Sequence, residues 1–160
     1  MTIKVGDQLP DATFKVMTAD GPGEVKSADL FGGKTVVLFA VPGAFTPTCH
    51  MNHLPGFIEH EATIKAKGVD TIGVVSVNDL FVMDAWEKAS SATGKVSFLA
   101  DTDASFVQNI GLSFDAPIFG HARAQRFALI AKDGEVTFLS VEENPGEATA
   151  TGAAAILEAL

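Results

Sequence analysis

A single cysteine, Cys49, stands among the 160 residues of this chain. One thiol cannot form an intrachain disulfide, so the sequence is no disulfide scaffold. Lysine-rich runs are missing, and 11 basic residues stand against 20 acidic ones, a net charge of −9. That balance argues against a nucleic-acid backbone or an anionic membrane surface as the main partner. No stretch approaches the ~18 uninterrupted apolar residues of a membrane span. The opening, MTIKVGDQLPDATF, carries charges and a proline within its first ten residues and has no apolar core of a secretory signal. The expected location is therefore the cytoplasm, whose reducing conditions keep a thiol free. Repeats, low-complexity tracts and linkers are absent, so residues 1–160 read as one domain, long enough for a full hydrophobic core. Arginine is also scarce: Arg123 and Arg126 are the only two.

The apolar residues that remain, 47% of the chain, are arranged in runs that alternate between strand and helix patterns. KTVVLFAV (34–41) is solidly apolar between Gly32-Gly33 and Pro42-Gly43, as suits a strand buried on both faces. Residues 47–68 read as a helix that Pro55-Gly56 should kink or interrupt. DTIGVVSV (70–77) and KVSFLAD (95–101) are further strands. Between them, 78–94 is a helix with Asn78 as N-cap and Leu80, Met83 and Trp86 on one face. A short helix over 103–111 follows, then a hairpin of RFALIA (126–131) and EVTFLSV (135–141) around Lys132-Asp133-Gly134, then a terminal helix over 153–160. This order predicts an α/β protein of thioredoxin-like fold: a mixed central sheet, helices on both faces and an N-terminal extension.

The cysteine lies where the first buried strand hands over to a helix. Thr46 fits the N-cap, Pro47 the first helical position, Thr48 the second and Cys49 the third. Unpaired N–H groups and the positive end of the helix dipole favour a thiolate there. Most single cytosolic cysteines are small buried hydrophobes, but this placement favours a nucleophile. A dithiol exchange enzyme needs C-x-x-C at this junction, and the sequence reads TPTC. Two other readings use the same residues. One is a redox-responsive binding protein that signals through Cys49. The other is a metal-binding module of Cys49, His50 and His53, with His60 a further turn away, although Pro55-Gly56 breaks that alignment and no fourth ligand cluster exists.

PGAFTPTCHMNHLPGF (42–57) closely resembles the active-site segment of peroxiredoxins of the type-five branch, called type two in plants. Its Pro42-x-x-x-Thr46-x-x-Cys49 pattern carries the likeness, and VGDQLPDATF, VVSVNDLFVMDAW, FLAD and RAQRFALIAKDGEV extend it nearly end to end. The resemblance implies a thiol-dependent peroxidase in which Cys49 attacks a peroxide oxygen and becomes a sulfenic acid. Thr46 would hydrogen-bond the thiolate and the peroxide, Pro42 would shield the pocket, and Arg126 would stabilise the charge. Thr48, Phe45, Ile118 and Phe119 would contact the peroxide, while Arg123 has no assigned part. No metal, haem or other cofactor is implied. The tail NPGEATATGAAAILEAL holds no resolving cysteine, which implies a one-cysteine member reduced by glutathione with glutaredoxin or by thioredoxin. A homodimer is also implied.

Overall fold

The computed structural model describes all 160 residues. In chain order its elements are β1 (Thr13–Thr18), β2 (Gly21–Lys26), α1 (Ser27–Phe31), β3 (Thr35–Ala40), a π-helical turn (Cys49–His53), α2 (Leu54–Glu59), α3 (Glu61–Ala66), β4 (Thr71–Ser76), α4 (Leu80–Ala89), β5 (Ser97–Ala100), α5 (Ser105–Asn109), β6 (Ser113–Ala116), a 3₁₀ turn (Pro117–Phe119), β7 (His121–Ala124), β8 (Phe127–Lys132), β9 (Glu135–Val141) and α6 (Ala153–Ala159). Seven strands form one sheet in the order β2-β1-β5-β4-β3-β8-β9, and β6 pairs with β7 alone. β3, β4 and β5 run parallel, whereas β8 is antiparallel to both β3 and β9. No helix is long and apolar enough to cross a membrane.

The solid apolar run of β3 follows from its place near the middle of the sheet. Val36, Leu38 and Ala40 enter one core cluster with Phe14, Leu30, Phe106 and Phe127. Val37, Phe39 and Val41 alternate into the other, with Phe57, Ile64, Trp86 and Ile156. Helices α1 and α5 thus cover one face of the sheet, and α2, α3, α4 and α6 the other. The β8–β9 hairpin closes on Asp133-Gly134, both at positive φ (50° and 79°), the twist that a two-residue turn between right-twisted strands needs.

Three local expectations differ from what is found. The chain stays helical through Pro55-Gly56 and breaks at His60 instead. A π turn precedes Pro55, with the Leu54 N–H reaching back to the Cys49 carbonyl, and proline sits early in α2 where its missing donor costs little. Asp79, not Asn78, caps α4, its carboxylate accepting from the Phe81 and Val82 N–H groups at 2.9 Å each. Asn78 is engaged elsewhere: its Oδ1 accepts from the Ala44 N–H at 3.0 Å and ties the end of β4 to the loop after β3. The hairpins β1–β2 and β6–β7 carry no expected strand, because their half-exposed, polar-rich segments show no sustained apolar alternation.

Candidate active site

Residues 47–59 are helical without a gap, so Cys49 lies in the first turn after β3, as the spacing predicts. Its side chain is wholly buried. Thr46 opens this run through its backbone, its carbonyl accepting from the His50 N–H at 2.8 Å. The expected side-chain cap does not form. The Thr46 hydroxyl donates instead to the Gly43 carbonyl at 2.7 Å, and it makes no bond to Cys49. A turn brings that carbonyl within reach, and a short local bond wins over the cap. Phe45 holds the turn at φ 64°, a left-handed conformation that costs a large residue energy and is commonest where function over-determines the backbone.

The partner of the thiol comes from far along the chain. Arg126, just before β8, is 2% exposed and spends its whole guanidinium on the site. Its Nη2 donates to Cys49 Sγ at 3.0 Å, its Nη1 to His53 Nδ1 at 2.9 Å and its Nε to the Pro145 carbonyl at 3.0 Å. A guanidinium fixed beside the sulfur offers a donor to an oxygen that gains charge there.

His53 is the third member. Its ring packs against the stacked pair Phe39 and Phe57, with centroids 4.9 and 5.6 Å away. Burial pushes its pKa down to about 3, the Arg126 charge acts in the same direction, and the bond to the Thr151 carbonyl opposes both. The ring is therefore neutral near pH 7. Because Arg126 donates to Nδ1, the proton sits on Nε2 and goes to the Thr151 carbonyl at 2.9 Å. A neutral acceptor steadies the guanidinium without cancelling its charge. The folded value lies below the unfolded 6.5, so on acidification the unfolded chain takes up this proton first. The stability His53 contributes is complete above about pH 6.5 and is lost between there and about pH 3, at about 1.4 kcal/mol per unit. Between pH 7 and pH 5 the parent should lose about 2 kcal/mol more urea stability than His53→Gln. Equal losses in the two would contradict a buried neutral ring.

A cavity of about 460 Å³ opens above these groups. Pro42, Thr46, Thr48, Ile118, Phe119 and Arg126 line it, together with Pro145 and Gly146. Six of the expected site residues thus share one cavity, with Cys49 buried next to Arg126. Phe45 does not join them. Its ring lies 5.5 Å from His50 and 6.4 Å from Trp86 and is 46% exposed, because the left-handed turn sends it away. Thr48 Oγ1 donates to the Gly146 carbonyl at 2.8 Å and so fastens the 143–150 segment over the helix start. Arg123 has a part in the wall: its guanidinium sits 4.5 Å from the Phe119 ring centroid and donates to the Pro42 carbonyl at 3.3 Å. Gly43 makes room for it, since a Cβ there would stand 3.2 Å from Arg123 Nη1. A second cavity, about 380 Å³, lies at the other end of the sheet against Val16, Leu30 and Phe98 and contains none of these groups. Only the first adjoins the Arg126 guanidinium that bonds the one thiol of the chain.

The metal alternative fails on geometry. No group of three His, Cys, Asp or Glu side chains is placed to hold an ion. The Arg126 cation already occupies the space between Cys49 and His53, and His50 Nδ1 accepts from Trp86 Nε1 at 3.0 Å. His60 bonds the Gly56 carbonyl of its own helix. Glu142, Thr151, Pro145 and Gly146 escaped the sequence reading. Only Pro145-Gly146 left a trace, as a turn signal, and nothing in the spacing links it to Cys49.

Residues 4–157 match the profile of the Redoxin family. The chain is 46% identical to Peroxiredoxin-2C of Oryza sativa subsp. japonica over 162 residues, covering 99% of this chain and 98% of that one. The reduced Prx3 of Vibrio vulnificus, solved in complex with hydrogen peroxide, superposes with a TM-score of 0.94 at 49% identity, with 99% of each chain covered. Peroxiredoxin 5 of Alvinella pompejana gives 0.84 at 32% identity, covering 98% and 97%.

Proposed function

Since this chain belongs to the Redoxin family, among its peroxiredoxins, we propose that Cys49 is the thiol that attacks peroxide and that Arg126 and Thr46 hold the reacting oxygens. The protein is a thiol-dependent peroxidase, and the observation that carries the residue assignment is the 3.0 Å bond from Arg126 Nη2 to Cys49 Sγ. Displacement at oxygen moves negative charge from sulfur to the leaving oxygen. A fixed donor beside both atoms lowers that barrier without reorganising. Thr46 has committed its proton to Gly43, so its oxygen presents lone pairs and accepts the O–H of the incoming peroxide. Pro42, buried in the wall, keeps water off the thiolate. Ile118 and Phe119 offer apolar contact to an alkyl hydroperoxide.

The steps balance simply. The thiolate forms an S–O bond as the O–O bond breaks, and the departing oxygen takes a proton and leaves as water or an alcohol. A first external thiol then condenses with the sulfenic acid and releases water. A second reduces the mixed disulfide and returns Cys49. With no other cysteine in the chain, glutathione with glutaredoxin, or thioredoxin, supplies both electrons. The test is peroxide turnover with each reductant in turn. Turnover with at least one supports the cycle, and oxidation of Cys49 without turnover by any would favour the redox-sensing reading instead. A homodimer is part of the proposal. Phe45, Phe81 and Ile118 are exposed apolar side chains of the kind a second copy would cover. A monomer mass by sedimentation equilibrium would remove that element.

A further inference from the structure

We propose that Glu142 and Thr151 are positioning residues of the peroxide reaction, closing a ring of hydrogen bonds that holds the Arg126 guanidinium against Cys49. The inference rests on the assignment of Cys49 and Arg126 above. The ring can be followed bond by bond. Arg126 Nη1 donates to His53 Nδ1 at 2.9 Å, and His53 Nε2 donates to the Thr151 carbonyl at 2.9 Å. The Thr151 N–H and hydroxyl both donate to Glu142 Oε1, at 3.0 and 3.1 Å. The Glu142 N–H donates to the Arg126 carbonyl at 2.9 Å, and the path returns to the residue where it began.

Each link has a physical reason. Arginine is long and carries high rotamer entropy, so one bond to an imidazole fixes it only if the imidazole is itself fixed. The imidazole is fixed by the Thr151 carbonyl. Thr151 is wholly buried, yet it ends a segment, 143–150, that is exposed along almost its whole length. That segment is fastened by Thr48 at Gly146, five residues short of Thr151, and cannot by itself hold Thr151 rigid. Glu142 can, because it directly follows β9, and β9 pairs with β8 beside Arg126. Its carboxylate therefore carries the stiffness of the hairpin across to Thr151. Two donors on a single carboxylate oxygen hold the threonine backbone and side chain together. The Nε2 of His53 lies 3.3 Å from the Thr151 hydroxyl as well, so that hydroxyl packs directly on the ring it helps to place.

Glu142 touches neither sulfur nor substrate, so its effect must pass through Arg126. A misplacement of about 1 Å at a reacting centre can cost about 100-fold. The test measures the second-order rate of Cys49 with hydrogen peroxide, its rate with an alkylating reagent, and the melting temperature, on four variants. Glu142→Ala should slow the peroxide step about 30- to 100-fold and slow alkylation, which needs no donor to a peroxide oxygen, far less. Glu142→Gln keeps the accepting Oε1 and should return the rate to within about threefold of the parent, rescue that a role in charge balance would not give. In an Arg126→Met background, Glu142→Ala should add less than about threefold, since both act through one guanidinium. Thr151→Val removes one of the two donors and keeps the carbonyl. It should slow the step about three- to tenfold, and it decides the matter should Glu142→Ala fail to fold. A Glu142→Ala rate within threefold of the parent, a Glu142→Gln rate no better than Glu142→Ala, or an unchanged Thr151→Val rate overturns the proposal. Cys49→Ala run alongside separates the two levels: if it stays active, the assignment of Cys49 is what fails.

Discussion

Cys49→Ser leaves a folded protein with no peroxide turnover. The exchange alters one buried atom, so packing against Phe39, Leu54 and Phe57 changes little. The new hydroxyl still has a donor, Arg126 Nη2, where the sulfur accepted one at 3.0 Å. The melting temperature should stay within a few degrees of the parent. Reactivity does not survive, because an alcohol stays protonated where a thiol ionises and oxygen is the poorer nucleophile toward peroxide oxygen. Loss of the nucleophile should cost at least about 10⁴-fold. Mass spectrometry gives a second measure. Stoichiometric peroxide should add one oxygen to the parent at Cys49, or a thiol adduct if glutathione is present, and excess peroxide a second oxygen; the variant should gain none. Turnover persisting in clean Cys49→Ser would remove this residue from the chemistry. A covalent dimer as the main product of the parent would instead make resolution intermolecular.

Arg126→Met should be the next most damaging change, slowing the peroxide step about 100- to 1,000-fold, the range for loss of one oriented donor to a developing charge. Methionine fills much of the same volume but leaves three acceptors behind: Cys49 Sγ, His53 Nδ1 and the Pro145 carbonyl. Buried groups without partners should lower stability by about 1–3 kcal/mol each unless water reaches them. Rate and stability therefore fall together, and a third measurement separates them. Alkylation of Cys49, which puts no charge on a peroxide oxygen, should slow far less than the peroxide step in Arg126→Met. Arg126→Lys keeps the charge but not the fork, so it can serve one of the three acceptors and should recover only part of the rate. A peroxide step within threefold of the parent in Arg126→Met would sink the role assigned to this arginine.

The elements that could be read ahead were those whose local pattern is self-sufficient. β3 was legible because both of its faces are buried, and the β8–β9 hairpin because Asp133-Gly134 alone demands a tight turn. β6 and β7 were not, since four-residue strands with one and two buried residues leave no periodicity to detect. Two capping expectations differ from the structure, one in the residue and one in the side-chain bond. At Asn78 the side chain was drawn to Ala44 by the fold, leaving Asp79 to cap α4. At Thr46 a neighbouring carbonyl captured the hydroxyl. Both errors have one cause: short polar side chains have several partners within reach, and tertiary position chooses among them.

The position of Cys49 at the start of a helix, its lack of any partner thiol and the strand that precedes it were settled by the order of residues alone, because turn chemistry, apolar runs and cysteine number act over a few neighbouring positions. The environment of the sulfur was not. Arg126 comes to it from 77 positions away, and Thr151 reaches His53 across 98. Such contacts depend on β8 docking antiparallel to β3 and on the chain after β9 folding back over the site. The thiol was thus written into the local sequence, while the neutral ring and the guanidinium set beside it come together only once the sheet has closed, since burial and charge proximity are properties of the packed molecule.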